Sequence, residues 1–463
     1  MNFNIPENPL FFLTLLIAMI GIVYGWSQRA TGWGIPMMAV NGTVLVWYHG
    51  DAVYNDYANR HAMMFDDGTL NQAWLEVAFF QICFIFSSRL VCRWLNSRFR
   101  ENSGFVAELL SERDAIFRLQ PLIYLTFQIV SITWLTYTAF AIFRVQGDIG
   151  GLFFSYLVGY KAFPWYRNRI GGGIDFLFSL VSYLDLFCLA SFGLVAVLTL
   201  FRNVRMLALL LMFLTWPNVL IDRARNLMLA VVLPAVLALL FIRLRGRILA
   251  QVSVLLLAFL AIDSWFRFVI ANRGESVLSA VLSETQDKSK KVKHEGLNMF
   301  EELCWINKLM EDGTYKPNWG SRYFAELCNP IPRSIWPDKP TIGLDYSIAR
   351  GQGTLAGGSQ SVYATIATGM IGQGVVNFGP WFGPLAAGLI MSVWTAFLAR
   401  LDLTSDLIGR LPLLVLGLAL TFNMGRDITL LVTYPLLFGY LLFYCYDRYV
   451  RKYSQEEAMS ASQ

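Results

Sequence analysis

The chain has 463 residues, 56% of them hydrophobic and only 15% charged, where a soluble domain carries roughly 25% charge. A mean hydropathy of +0.49, gathered in long apolar blocks, excludes an ordinary soluble enzyme and predicts a polytopic α-helical membrane protein. The net charge of +5 reflects topology in such a chain, and no basic tract interleaved with aromatics points to nucleic acid.

Apolar runs of membrane length fall at about 9–25, 32–48, 73–92, 119–143, 176–201, 205–221, 226–243, 248–270, 380–400, 410–425 and 428–446. The expected fold class is therefore all-α, with about eleven transmembrane helices and one long external, periplasmic loop region. Three parts follow: a bundle over 1–270, the loop region over 271–379, and C-terminal hairpins with a tail over 380–463. The first run is preceded by Glu7 and by no Lys or Arg, so it reads as a retained helix and not as a secretion signal.

Orientation follows from the basic residues beside the spans. With eleven spans, Arg29, the cluster Arg93–Arg118, Arg202 and Arg205, Arg243–Arg247, Arg400 and Arg410, and Arg448–Lys452 all fall on one side. The positive-inside rule makes that side cytoplasmic, which puts the N-terminus outside and the C-terminus inside. Loops 49–72 and 144–175, the turns at Asp222–Arg225 and Gly425–Asp427, and the region 271–379 then lie outside.

Within the long region, Leu297, Phe300, Leu303, Cys304 and Ile306 recur at helical spacing, which predicts an amphipathic helix ended by Gly313. Prolines 330, 332, 337 and 340 forbid a continuous helix after it. The Gly-rich stretch leading to "GMIGQGVVNFGPWFG" reads as a re-entrant or interfacial segment, permitted at membrane depth where protein satisfies its backbone. Cys304 and Cys328 share this region, and a disulfide between them stays open if it is exported.

Short external turns are normally poor in basic residues, yet Arg223, Arg225 and Arg426 sit in two of them. Asp222 offers Arg225 a partner at i,i+3, and Asp427 stands next to Arg426. Arg223 has no such local mate, so either lipid phosphates or an anionic ligand is expected to meet it. The polar region adds Arg322, Arg333, Lys339 and Arg350, with Trp336 set to stack on a sugar ring or to sit in the interfacial belt. Candidates for a general base are His294, Glu295, Glu301, Glu302, Asp338 and Asp345, together with Asp51, Asp56, Asp66, Asp67, His49 and His61 from the first loop. No phosphate loop, dinucleotide glycine pattern, nucleophile elbow or metalloprotease motif is present in the sequence.

The order "IDRARNLML", "NRGES", "PRSIWPDKP" and "GMIGQGVVNFGPWFG" over residues 205–400 resembles the bacterial Wzy-type oligosaccharide repeat-unit polymerases of the O-antigen polymerase superfamily. The resemblance implies a glycosyltransferase that moves a growing glycan from undecaprenyl pyrophosphate onto the next lipid-linked repeat unit. It implies neither metal nor other cofactor, and as partners membrane lipids, a flippase and a chain-length regulator. Arg223 and Arg333 would then stabilise the departing pyrophosphate; the resemblance leaves the base open, and His294 and Glu295 are taken for it from the candidates above. Arg225, Arg322, Arg350, Arg426, Trp336 and Lys339 would bind substrate. One departure stands: some members have Gly eleven positions after the arginine, whereas Arg333 to Gly343 is ten.

Three other readings share these features. A ligase-like transferase would use the same donor with a different acceptor. A metal-dependent enzyme acting on lipid-phosphate sugars would use Asp51 or the pair Asp66–Asp67. A non-enzymatic glycolipid flippase would use none of them chemically.

Overall fold

The structure is a computed structural model, and the residues described are 5–97, 115–154, 174–221, 225–271, 298–329, 331, 335–351, 353–354, 361–362, 366–403 and 408–461. Arg223, His294, Glu295 and Arg333 lie outside them, and Arg225 is described by its backbone alone.

The chain is helical. In order, the main helices are α1 (Pro9–Ser27), α2 (Gly34–Val44), α3 (Gly50–Tyr54), α4 (His61–Met64), α5 (Asp67–Leu95), α6 (Gln120–Arg144), α7 (Ile174–Leu198) and α8 (Arg202–Ile221). They continue as α9 (Arg225–Ala238), α10 (Ile248–Ala271), α11 (Met299–Glu311), α12 (Ser321–Cys328), α13 (Leu344–Ala349), α14 (Gly369–Leu403), α15 (Arg410–Met424) and α16 (Leu430–Ala461). Among the described residues the β structure is one two-residue ladder, Gly353–Thr354 against Ser361–Val362.

Among the described residues, five helices are long and apolar enough to cross a membrane: α1, α5, α6, Arg202–Leu220 of α8, and α14. Tyr183–Leu198, Leu227–Arg243, Ile248–Ala258 and Arg410–Met424 form shorter apolar helices. The expected run 32–48 is divided between α2 and a π-helical turn, Leu45–His49. Buried Asn41 and Thr43 lower the apolarity of that run.

Two compact units interleave the sequence. The first joins Met1–Gly104, His294–Leu403 and Thr421–Val432; the second joins Phe105–Lys293, Thr404–Leu420 and Thr433–Gln463.

In the first unit, Asn8 caps α1 by accepting from Leu10 N at 2.9 Å, and Pro9 supplies the first helical residue. The buried face of α1 is Phe11, Thr14, Ala18, Gly21 and Gly25, a stripe that narrows to small residues. A methyl group on Gly25 or Gly34 would collide with the other helix, so α1 and α2 approach backbone to backbone. Asp66 caps α5 through Thr69 N at 2.7 Å. α5 packs along α14, where Gly388 lies under the Phe80 carbonyl and Ser87 bonds Ser392 at 2.6 Å.

α14 is not a single rod. Gly379 has φ 79° and ψ 178°, followed by Pro380. A straight helix would separate Gly374 from Gly383 by roughly 13 Å. Instead the two meet, and a methyl group on either would strike the other's backbone. The limb 369–378 therefore folds back on 380–403. Its free N–H groups find protein partners: Gly369 N donates to Arg426 O at 2.8 Å, Met370 N to Gly425 O at 3.2 Å, and Ile371 N to the Tyr48 hydroxyl at 2.9 Å. The Gln373 amide clamps Ile428 from both sides, at 2.8 and 3.0 Å. Protein groups thus satisfy the exposed backbone of this limb.

In the second unit, α7 packs against α6, α8 and α9. Arg205 and Arg243 both donate to Thr199 O, at 2.5 and 3.0 Å, and so neutralise the carbonyl end of α7. Gln120 bridges Leu198 O and Leu200 N.

Candidate functional site

The polar residues of the first unit gather around α11. This helix follows the amphipathic spacing read from the sequence and stops at Asp312, with Gly313 at φ 71°. Its N-cap, Asn298, makes no side-chain bond. Asp51 does that work from α3: its Oδ2 accepts from Phe300 N at 2.8 Å and Glu301 N at 3.0 Å. Asn55 donates to the other oxygen at 2.5 Å.

Asp51 is fully buried, and burial pushes its carboxyl up to about 7. His61 Nε2 lies 3.9 Å from Asp51 Oδ1 and 4.0 Å from Glu301 Oε2. Burial holds His61 down to about 4, helped by the charge of Arg60, so the imidazole is neutral at pH 7. Arg60 pairs with Glu301 at 2.5 Å. Asp51 caps α11 and Asp66 caps α5, which occupies two of the three residues that a metal-dependent reading would use.

Two arginines of the same unit are each clamped by a carboxylate. Arg350 sets its fork on Glu302, Nη2 to Oε1 at 3.3 Å and Nε to Oε2 at 3.4 Å. Its guanidinium lies over the Trp305 ring at 4.1 Å. Tyr346 donates to Glu302 Oε2 at 2.7 Å, and burial still raises the Glu302 carboxyl above its ordinary range.

Arg322 is the more enclosed of the two, only 3% exposed. Its Nη2 donates to Asp427 Oδ2 at 3.2 Å, while its Nε and Nη1 have no hydrogen-bond partner among the described residues. Thr368 donates to the same carboxylate at 3.2 Å. The unspent edge of the guanidinium faces a polar neighbourhood. Gly343 at φ 63° lies against it, where a methyl group would come within 3.3 Å of the Arg322 Cζ, and the Tyr323 hydroxyl has no hydrogen-bond partner among the described residues. Tyr315 donates to Asp345 Oδ2 at 2.7 Å and packs edge-on against Tyr346 at 5.7 Å, which links the Arg322 side to the Glu302–Arg350 pair.

The remaining sequence candidates separate by role. Lys339 Nζ donates to Asn329 O at 2.9 Å and Ile331 O at 2.7 Å, so it covers the carbonyl end of α12. Trp336 contacts the Phe324 ring at 6.4 Å. The Arg426 carbonyl caps the folded-back limb of α14. Asp427, expected to serve its neighbour Arg426, gives its carboxylate to Arg322 across 105 residues, because the turn brings it to the limb's N-terminus. Cys304 and Cys328 are both buried and free, so no disulfide joins them. Sequence reasoning missed Thr368, Tyr315, Tyr323 and the pairing role of Asp427. None of these carries a local signal; each gains its place only when distant segments meet.

The assembly offers clamped guanidinium groups with donors unspent, beside tyrosine hydroxyls and carboxylates. That chemistry suits an oxyanion, phosphate above all. Compared with protein-family models, characterised proteins and solved structures, the chain gives no significant match in any of the three.

Proposed function

We propose that this chain is an integral-membrane glycosyltransferase that polymerises oligosaccharide repeat units carried on undecaprenyl pyrophosphate, at the external face of the bacterial inner membrane. The observation that carries the reading is Arg322, a buried guanidinium fixed by Asp427 with Nε and Nη1 unspent. A pyrophosphate leaving group needs such pre-placed positive charge, because its own negative charge grows as the sugar–oxygen bond breaks. Arg350, half-buried over Trp305, supplies a second cation for the same anion.

In the proposed reaction, a hydroxyl of the acceptor repeat unit attacks the anomeric carbon of the donor glycan. The bond from that carbon to the pyrophosphate oxygen breaks, and its electrons leave on the lipid pyrophosphate. The hydroxyl proton passes to a base, for which His294 and Glu295 are proposed. Arg223, Arg225 and Arg333 are proposed as further anion contacts on the sequence argument given above. Arg426 and Trp336 are left with supporting parts, and Lys339 with a structural one, since its ammonium already holds carbonyls at α12.

The test is glycan length in a deletion strain complemented with Arg322→Ala, Arg223→Ala or Arg333→Ala. Single repeat units on lipid at the outer face, in place of a ladder, are expected. A wild-type ladder from all three at normal expression would overturn the assignment. Accumulation of units at the inner face would indicate a flippase.

A further inference from the structure

α12 is turned inside out relative to a helix facing water. Its inward residues are Arg322 and Glu326, each 3% exposed, with Ala325 and Cys328 between and beside them. Its outward residues are Phe324 at 52% and Leu327 at 65%. A helix packed on a soluble body buries its apolar stripe and solvates its charges. α12 does the reverse over both of its turns.

The inversion extends along the chain on either side. Trp319 stands 78% exposed immediately before α12, and Ile335 75% exposed after it. Trp319 is held at φ 52°, followed by Gly320 at φ 88°. Two successive residues in the left-handed region make a turn that a tryptophan seldom adopts. The turn is pinned by Asn318 N, which donates to Val376 O at 3.1 Å. The indole, 78% exposed, is thus turned away from the described residues of the unit.

What covers this face follows from where it stands. α12 sits on the turn of α14: Tyr323 N donates to Asn377 Oδ1 at 3.3 Å, and the Tyr323 and Phe378 rings lie 6.2 Å apart. One residue past that turn, α14 begins its own outward apolar stripe with Trp381 and Phe382, continued at Leu385, Leu389 and Val393. α14 is one of the five helices long and apolar enough to span a bilayer, so that stripe faces acyl chains. The apolar face of α12 adjoins the end of the stripe, at the depth where tryptophans and short amphipathic helices meet lipid.

We propose that α12, with Trp319 and Ile335, lies in the interfacial zone of the bilayer as a monotopic element, seated on lipid and not on a protein partner. Its charged inward face then places the Arg322–Asp427 pair at headgroup level. This holds whatever reaction the chain performs, and its test reads no glycan.

Full-length protein is reconstituted in nanodiscs of phosphatidylethanolamine and phosphatidylglycerol, with the exposed Cys445 changed to Ser. An environment-sensitive bimane label is placed at Leu327→Cys, at Phe324→Cys, and at Asp312→Cys in the exposed turn after α11. Lipids carrying a nitroxide on the upper acyl chain should quench positions 324 and 327 at least threefold more than 312. Aqueous iodide should show the opposite order. Equal iodide quenching at all three sites would place α12 in water and overturn the proposal. Protection of 324 and 327 from both quenchers would put a protein there and overturn it equally.

Discussion

The Asp51 carboxylate accepts the backbone N–H of Phe300 at 2.8 Å, across 249 residues of chain. The first turn of α11 is thereby capped from α3, while the local Asn298 makes no cap. This single contact ties the N-terminal helices to the segment that holds Glu302, and through it Arg350.

Asp51→Ala should therefore loosen more than its own helix. A lost cap costs about 1 kcal/mol, and here two buried N–H groups are left without an acceptor, so a total of roughly 2–3 kcal/mol is expected. Asp51→Asn keeps an oxygen in place and should cost less. Thermal unfolding in detergent, followed by tryptophan fluorescence, ranks the two; an Asp51→Ala midpoint equal to wild type would refute the cap.

Asp51 and His61 oppose each other in pH. A carboxyl raised on folding to about 7 binds its proton more tightly in the folded chain, so its contribution declines as pH climbs from roughly 3.9 toward 7. An imidazole lowered on folding to about 4 contributes increasingly as pH climbs from there toward roughly 6.5. Each slope is about 1.4 kcal/mol per pH unit, and they cancel in the shared window. Arg60 and Glu301, which also face the pair, remain in every variant. Between pH 4.5 and 6.5, His61→Gln should lose stability relative to wild type as pH rises, and Asp51→Asn should gain. Melting profiles of the two variants running parallel would contradict the assignment.

The Arg322–Asp427 pair allows stability and activity to be separated. Removing one partner of a buried pair costs roughly 3 kcal/mol, because the other is left charged and uncompensated. Removing both costs less. Arg322→Met should thus melt lower than Arg322→Met with Asp427→Asn. Both should fail to make polymer, since the guanidinium is absent from each. A double variant that is stable and still yields a full glycan ladder would leave Arg322 a purely structural residue.

What the sequence revealed, and what it hid, divides by range. Apolar blocks and proline positions are local, and they located α1, α5, α6, α11 and the helix-free stretch around Pro337 and Pro340. The start of an apolar limb at 380 was also legible, whereas the fold-back of 369–378 onto it was not. Among the described residues five helices have full spanning length, and a run such as 32–48 falls short of it because it carries Asn41, whose amide turns back to Met37 O of its own helix. Asp427 illustrates the limit at the candidate site. Its neighbour in sequence, Arg426, acts on it through its charge, but Arg322, 105 residues away, also donates a hydrogen bond to it and carries the larger effect. Asp51 shows the same limit, since a cap made to a helix 249 residues away leaves no trace beside the capping residue, whereas the Asp66 cap is local to α5.

The fold-back of α14 gives the last prediction. Gly374 and Gly383 touch through their backbones, and the atoms a methyl group would meet are a carbonyl and a peptide nitrogen, which cannot rotate aside. Gly374→Ala should therefore force the limb 369–378 away from 380–403. Overpacking of this kind costs roughly 1–3 kcal/mol. The displaced limb would also pull on Gly369 N and Met370 N, whose acceptors are the Arg426 and Gly425 carbonyls, so the turn that positions Asp427 should shift with it. Gly42→Ala provides the contrast, because a methyl group there meets nothing within 4 Å and sits in the interior of α2. It should be neutral or stabilise by up to about 1 kcal/mol through helix propensity. Size-exclusion profiles and melting midpoints of the two variants in the same detergent should move in opposite directions. A Gly374→Ala protein as monodisperse and as stable as Gly42→Ala would mean that the two limbs do not pack on one another.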